Sequence, residues 1–104
     1  MSETVIIKTL DEANSFAACV ARPAGTPRAA IIVIQEIFGV NEGIRRKCDH
    51  WASLGYLAVA PDLFWMLEPG LELDPDLEDE FNKALGLFGQ YNPDDGVKDI
   101  EATI

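Results

Sequence analysis

Residues 29–35, AAIIVIQ, are apolar to within one position of their end, and Glu36 follows at once. A carboxylate at the end of a buried strand is placed for chemistry. Partly desolvated at the floor of a site, it can exchange a proton or hold a polar group. The alternative is an acid just past the strand, turned to water or bonded to loop amides, and spacing leaves both open. The next residues, IFGV at 37–40, lead into a helix-like pattern. Backbone N–H groups of such a loop, close to a helix N-terminus, can stabilise an oxyanion. An ordinary strand-to-helix turn, with Gly39 present for its φ freedom, fits the spacing equally well. The loop is not a phosphate cradle: GVNEG lacks GxGxxG, and no GxxxxGK[ST] occurs.

The other reactive residue types carry weaker signals. His50 is the single histidine and falls beside Asp49 on the polar side of the expected helix, the pattern of an exposed helix residue. Cys48 belongs to the apolar stripe of that helix and Cys19 to a strand, so both are expected to pack as small hydrophobes. Ser2, Ser15 and Ser53 have no nucleophile context, since neither GxSxG nor GxCxG appears. Trp51 is expected in the core. Phe64 and Trp65 follow the strand YLAVAPDL at the same edge as Glu36, where they either line a pocket or complete the core.

These residues are positioned by a simple series of elements. TVIIKT (4–9) and FAACVA (16–21), separated by DEANS, read as an N-terminal hairpin. ARPAGTPR (21–28) is a Pro/Gly linker, and the unbroken Ile/Val run of 29–35 suits a buried strand of a parallel sheet. Ile44, Cys48, Trp51 and Ala52 recur at helical spacing, with Asn41 to cap the start and Gly55 to end the helix. YLAVA (56–60), halted by Pro61, is the next buried strand. Strand, helix, strand with short joints is a βαβ unit with a right-handed crossover. After the loop 61–74, Asp74 and Pro75 signal a helix start, with Leu77, Phe81, Ala84, Leu85 and Phe88 as its stripe. Asn92 and Pro93 repeat the signal for a third helix with Val97, Ile100 and Ile104 inward. The third helix stops at the chain end with few strands for three helices to cover, so the chain is expected to be the front part of a larger α/β domain.

Composition excludes several classes. The 104 residues suffice for one small domain, and an apolar fraction of 48% is that of a globular chain. No apolar run approaches the roughly 20 residues of a membrane helix. MSETVIIKTL has no basic segment and no long apolar core, so it does not read as a signal peptide. Two cysteines without CxxC spacing suggest neither a disulfide framework nor a zinc site, and a cytoplasmic protein with free thiols is the default. The net charge of −10 disfavours nucleic acid as a partner, because phosphate binding needs Lys and Arg. The charge is uneven: residues 67–104 hold eleven acids and two bases, against seven and six in 1–66. Solvated helix faces account for this. A competing functional reading is a non-catalytic α/β module that shows this acidic face to a basic protein partner. A small-ligand binder of flavodoxin type lacks a phosphate-cradling sequence.

The stretch VIQEIFGVNEGIRRKCDHWASLGYLAVAPDLFW resembles the front of the dienelactone hydrolase family, which carries an apolar strand, QEIFG–N, a helix, and GY–A–APDL. LDPDLEDEFNKALGLF and DGVKDIEATI resemble that family's helical region more weakly, so the match covers most of residues 29–104. The resemblance implies an α/β-hydrolase fold, with residues 1–104 as the N-terminal portion of a single domain that breaks off before the nucleophile elbow. It implies hydrolysis of a small-molecule ester or lactone without a cofactor, by a Cys (or Ser)-His-Asp triad lying beyond this chain. Two roles carry over. Glu36 matches the acid that contacts the nucleophile and helps convert thiol to thiolate, and Ile37 matches the residue whose N–H forms half of the oxyanion hole. The family's arginine clamp for a substrate carboxylate has no counterpart in 67–104, which contains no arginine, so dienelactone itself is not implied as substrate.

Overall fold

A computed structural model describes residues 2–104. The N-terminal runs form strands β1 (Ser2–Lys8) and β2 (Ser15–Ala21), an antiparallel hairpin in which Val5 faces Ala18 and Lys8 faces Ser15. The turn between them is closed by Asp11, whose Oδ1 accepts from Thr9 Oγ1 at 2.6 Å and from the Ala13 N–H at 2.9 Å. Strand β3 (Ala30–Ile32) pairs in parallel with β4 (Leu57–Pro61), and β2 pairs antiparallel with the other side of β4. The sheet order is therefore β1-β2-β4-β3. The βαβ expectation holds, and the hairpin joins the same sheet.

The apolar run at 29–35 yields a shorter element than its composition suggests. Only three residues form β3, and Ile34 is exposed. The reason lies in its place in the sheet: β3 is an edge strand, and only β4 bonds to it. Its other flank has no partner strand among the described residues, so the ladder stops once the chain leaves β4.

Helix α1 (Glu42–Ser53) lies on one face of the sheet. Its Ile44, Cys48 and Ala52 pack with Cys19, Ala21, Val33, Ala58 and Ala60 into the main core. Alanines at the centre of β2 and β4 let the helix approach closely. Trp51 is not in that core; it sits on the flank of the stripe, edge-on to Tyr56 at 5.7 Å between ring centroids, and is exposed. Asn41 caps α1 as expected, its Oδ1 accepting from the Ile44 N–H at 3.2 Å. Gly55 ends it at φ +97°.

On the opposite face, Phe16 stacks on Trp65, and Trp65 Nε1 donates to Asp99 Oδ2 of α3 (Pro93–Thr103) at 2.8 Å. This helix turns Gly96 and Asp99 inward and leaves Val97 exposed, so its buried face is rotated from the expected stripe. Close packing explains this: a Cβ on Gly96 would fall 1.6 Å from Tyr91 Oη. Helix α2 (Glu78–Phe88) begins later than the Asp74–Pro75 signal. Asp74 Oδ1 accepts from the Asp76 N–H at 2.9 Å, and this local turn competes with helix entry. Of its stripe only Ala84 is buried; Leu77, Phe81, Leu85 and Phe88 are exposed.

Candidate functional site

Beyond Ile32 the chain keeps contact with β4 for one more bond, from the Val33 N–H to Val59 O at 2.8 Å. The two strands then part. Side chains continue to alternate across the fork: Ile34 outward, Gln35 inward, Glu36 outward. Gln35 is buried, and its Oε1 accepts from the Leu63 N–H at 2.8 Å. A side-chain amide thus replaces the ladder bond lost where the backbones diverge.

Glu36 stands at the carboxyl end of β3, the edge of an open α/β sheet where ligands bind. Its carboxylate is exposed, with Lys47 Nζ at 3.6 Å from Oε1. The sequence allowed for a partly desolvated acid, and in this chain it is solvated, because among the described residues no strand pairs with the open side of β3. A pair so exposed contributes little to stability.

Ile37 opens the turn that follows and is half-buried. The rest of this loop is locked. Phe38 O accepts from the Leu73 N–H at 2.9 Å, and Asn41 Nδ2 donates to Leu73 O at 2.9 Å. Arg45 Nη1 donates to Val40 O at 3.2 Å and pairs with Glu72. Gly39 lies at φ +78°, and a Cβ there would meet Leu71 O at 2.0 Å. So the loop 37–41 is clasped to 71–73, and the bonds that clasp it leave the Ile37 N–H out.

Behind the turn, Phe38, Phe64, Leu71, Leu73 and Ala84 form a second apolar cluster, edged by Ile37, Leu87 and Tyr91. A cavity of about 160 Å³ lies between this cluster and the turn, walled by Gln35, Glu36, Ile37, Leu63, Phe64 and Tyr91 among others. The structure therefore brings Glu36 and Ile37 together with Phe64 at one mouth. Trp65 belongs to the other face of the sheet.

Three buried polar residues carry little signal in the sequence. Asp62 is buried, and its carboxylate accepts from the Phe64 N–H at 3.2 Å and the Gly70 N–H at 2.8 Å, holding the loop 62–70 closed. Burial pushes its carboxyl above the usual carboxylate range, with the two amide bonds opposing. Asp99 is likewise raised, mainly by burial. Gln35 reads in sequence as the polar end of a strand. Asp62 directly follows the proline that ends β4, and that position is the one signal in the sequence that could have found it. His50 is exposed, and Cys19 and Cys48 are buried in the main core, so none of them reaches the cavity.

Residues 16–104 match the profile of the dienelactone hydrolase family. The chain belongs to that family. It is 38% identical over 104 residues to a carboxymethylenebutenolidase of Pseudomonas putida, covering all of this chain and 44% of that protein. It is 48% identical over 82 residues to a provisionally named carboxymethylenebutenolidase of Azospirillum brasilense, covering 78% of this chain and 36% of the relative. A crystal structure from Klebsiella pneumoniae, provisionally described as a dienelactone hydrolase, superposes with a TM-score of 0.72 at 28% identity, over 99% of this chain and 42% of that one. This dienelactone hydrolase family member thus spans less than half the length of these relatives. Its α/β sheet is the part of the fold shared with that crystal structure. No helix among its described residues is long and apolar enough to cross a membrane.

Proposed function

We propose that the protein carrying this segment hydrolyses a small-molecule ester or lactone, with a Cys (or Ser)-His-Asp triad supplied by residues outside this chain. Residues 1–104 then form part of one larger α/β-hydrolase domain. The observation that carries the reading is the clasped turn. A family member holds Glu36 and the Ile37 N–H at the carboxyl edge of β3, beside an apolar cavity. The Ile37 N–H would donate to the oxygen that gains charge during acyl transfer. Glu36 would accept the nucleophile's proton, and its present exposure would end once the nucleophile packs beside it. Two free, buried cysteines fit a reducing, cytoplasmic compartment. The acids of α2 and α3 call for no basic protein partner: Glu78, Asp79, Asp94 and Asp95 lie in first turns, where the helix dipole favours them.

Glu36→Gln tests the reading. The two residues are nearly isosteric, but the amide cannot take a proton. kcat/KM of the complete protein for an activated ester is expected to fall roughly 10²- to 10⁴-fold across pH 6–9, with circular dichroism unchanged. Unchanged kinetics on an unchanged fold would remove Glu36 from the mechanism.

A further inference from the structure

The side chain of Gln35 is half used. It is 8% exposed, and its Oε1 is committed to the Leu63 N–H. That bond also fixes which end of the amide is which: the atom facing an N–H must be the oxygen, so Nε2 is the other. Nε2 is fully buried and meets no acceptor among the described residues. Leaving a buried donor without a partner is costly, and such groups call for an explanation. If holding Leu63 were the whole role, the donor half would be a burden with no return. Gln35 is also part of the wall of the cavity at the Glu36–Ile37 turn. Its neighbours there, Ile37, Leu63 and Phe64, offer apolar surface.

We propose that Gln35 Nε2 is a built donor for a carbonyl oxygen, set one residue before Glu36 and held in place through the Leu63 bond. Neutral chemistry suits it. An amide N–H donates to an ester, lactone or main-chain carbonyl without needing a counter-charge, and the apolar wall would exclude water from the bond. Two sources share this chemistry: the carbonyl of a bound ester or lactone, and a main-chain carbonyl of further chain packed on the open edge of β3. The first rests on the hydrolase reading above and adds a substrate-orienting donor to it, distinct from the Ile37 N–H.

The test is NMR of the complete protein, following the Gln35 side-chain amide signals during addition of γ-butyrolactone, with tetrahydrofuran as a ring of similar size lacking the carbonyl. The ligand source predicts that both amide protons move saturably with the lactone and stay put with the ether. The main-chain source predicts amide protons already shifted downfield and slow to exchange, unaffected by the lactone. Signals that exchange freely with water and do not move with lactone would overturn the proposal. Gln35→Glu separates the donor from the clasp. Its carboxylate can still accept from the Leu63 N–H, so slow exchange at Leu63 is expected to persist. Where lactone binds the wild type, this variant is expected to bind it roughly tenfold more weakly at pH 8. Burial raises the introduced carboxyl's pKa, and protonation at pH 5 restores an O–H donor and recovers binding. Equal affinity for wild type and variant at both pH values would show that the donor half holds no ligand carbonyl. None of these readouts requires turnover. An inactive protein with a shifted Gln35 amide refutes the hydrolase reading alone, and an active one with an inert amide refutes this inference alone.

Discussion

At the scale of single residues, the deciding variable is what surrounds a reactive group, not its type. Cys48 is the clearest instance. It is fully buried on the inner face of α1 with Cys19 beside it, and burial followed by the neighbouring thiol pushes its pKa up to about 12. Alkylation requires the thiolate. Cys48 in the folded protein is therefore expected to resist iodoacetamide at pH 8 and to react once urea unfolds the chain, as read by mass spectrometry. Rapid labelling of native Cys48 would show that α1 opens readily. Glu36 presents the opposite environment: exposed, within reach of Lys47, and waiting on whatever covers the edge of β3. Its identity was conspicuous in the sequence because it ends an apolar run. Gln35 was not conspicuous, because a buried side-chain-to-backbone bond across 28 positions, from Leu63 to Gln35, leaves no periodic trace.

At the scale of elements, two contacts place the helices, and each makes a prediction. Asn41 both caps α1 and ties the loop to Leu73. Asn41→Ala is expected to cost about 1–2 kcal/mol, measured as a lower urea midpoint of the complete protein, with looser protection of the Leu73 region in hydrogen exchange. An unchanged midpoint would mean that the clasp holds without the cap. Asp99 anchors α3 through Trp65. Its folded pKa is raised, chiefly by burial and also by nearby Asp95, with the Trp65 bond opposing. A raised carboxyl favours the folded state when protonated. Its contribution is complete below the unfolded value of about 3.9 and is lost as pH rises through the folded value. Asp99→Asn keeps an acceptor for Trp65 and removes the titration. The variant is therefore expected to match or exceed the wild type at pH 7.5 and to lose that advantage toward pH 4, compared by urea midpoint. A constant difference at all pH values would show that Asp99 does not titrate in this range. The two glycine constraints at this scale differ in legibility. Gly39 was recognisable as a turn residue, but the approach of Leu71 that forbids any side chain there was not.

At the scale of the whole molecule, apolar surface is left open on one side. Leu77, Phe81, Leu85 and Phe88 line the outside of α2, and Ile34 lies beside the unpaired edge of β3. Contiguous surfaces of that kind are rare on stable monomers. Expressed alone, the 104-residue chain is expected to bind ANS and associate at micromolar concentration. It is also expected not to turn over p-nitrophenyl acetate above a heat-denatured control, since its thiols are buried and His50 is remote from the cavity. A sharp, monomeric thermal transition without ANS binding, or clear turnover, would contradict this view of the molecule.

The sequence alone determined what depends on local chemistry and periodicity. The hairpin followed from two β-prone runs around a turn-forming DEANS, and α1 from its cap and four-residue spacing. The apolar run drew attention to Glu36, although β3 ends four residues before it, and the family followed from motifs that run through those same elements. Tertiary structure decided what depends on neighbours distant in the chain. β3 shrank to three residues because one side of it has no partner. α2 started late because a local Asp74 turn competed with its cap, and of its stripe only Ala84 is buried, while Phe81 reaches Phe38 with part of its ring still exposed. α3 rotated so that Gly96 could fit beneath Tyr91 and Asp99 could reach Trp65. The clasp of 37–41 onto 71–73, which fixes the direction of the Ile37 turn, arises from hydrogen bonds across some thirty residues. Periodicity records which face of an element is apolar, but not which partner arrives to cover it.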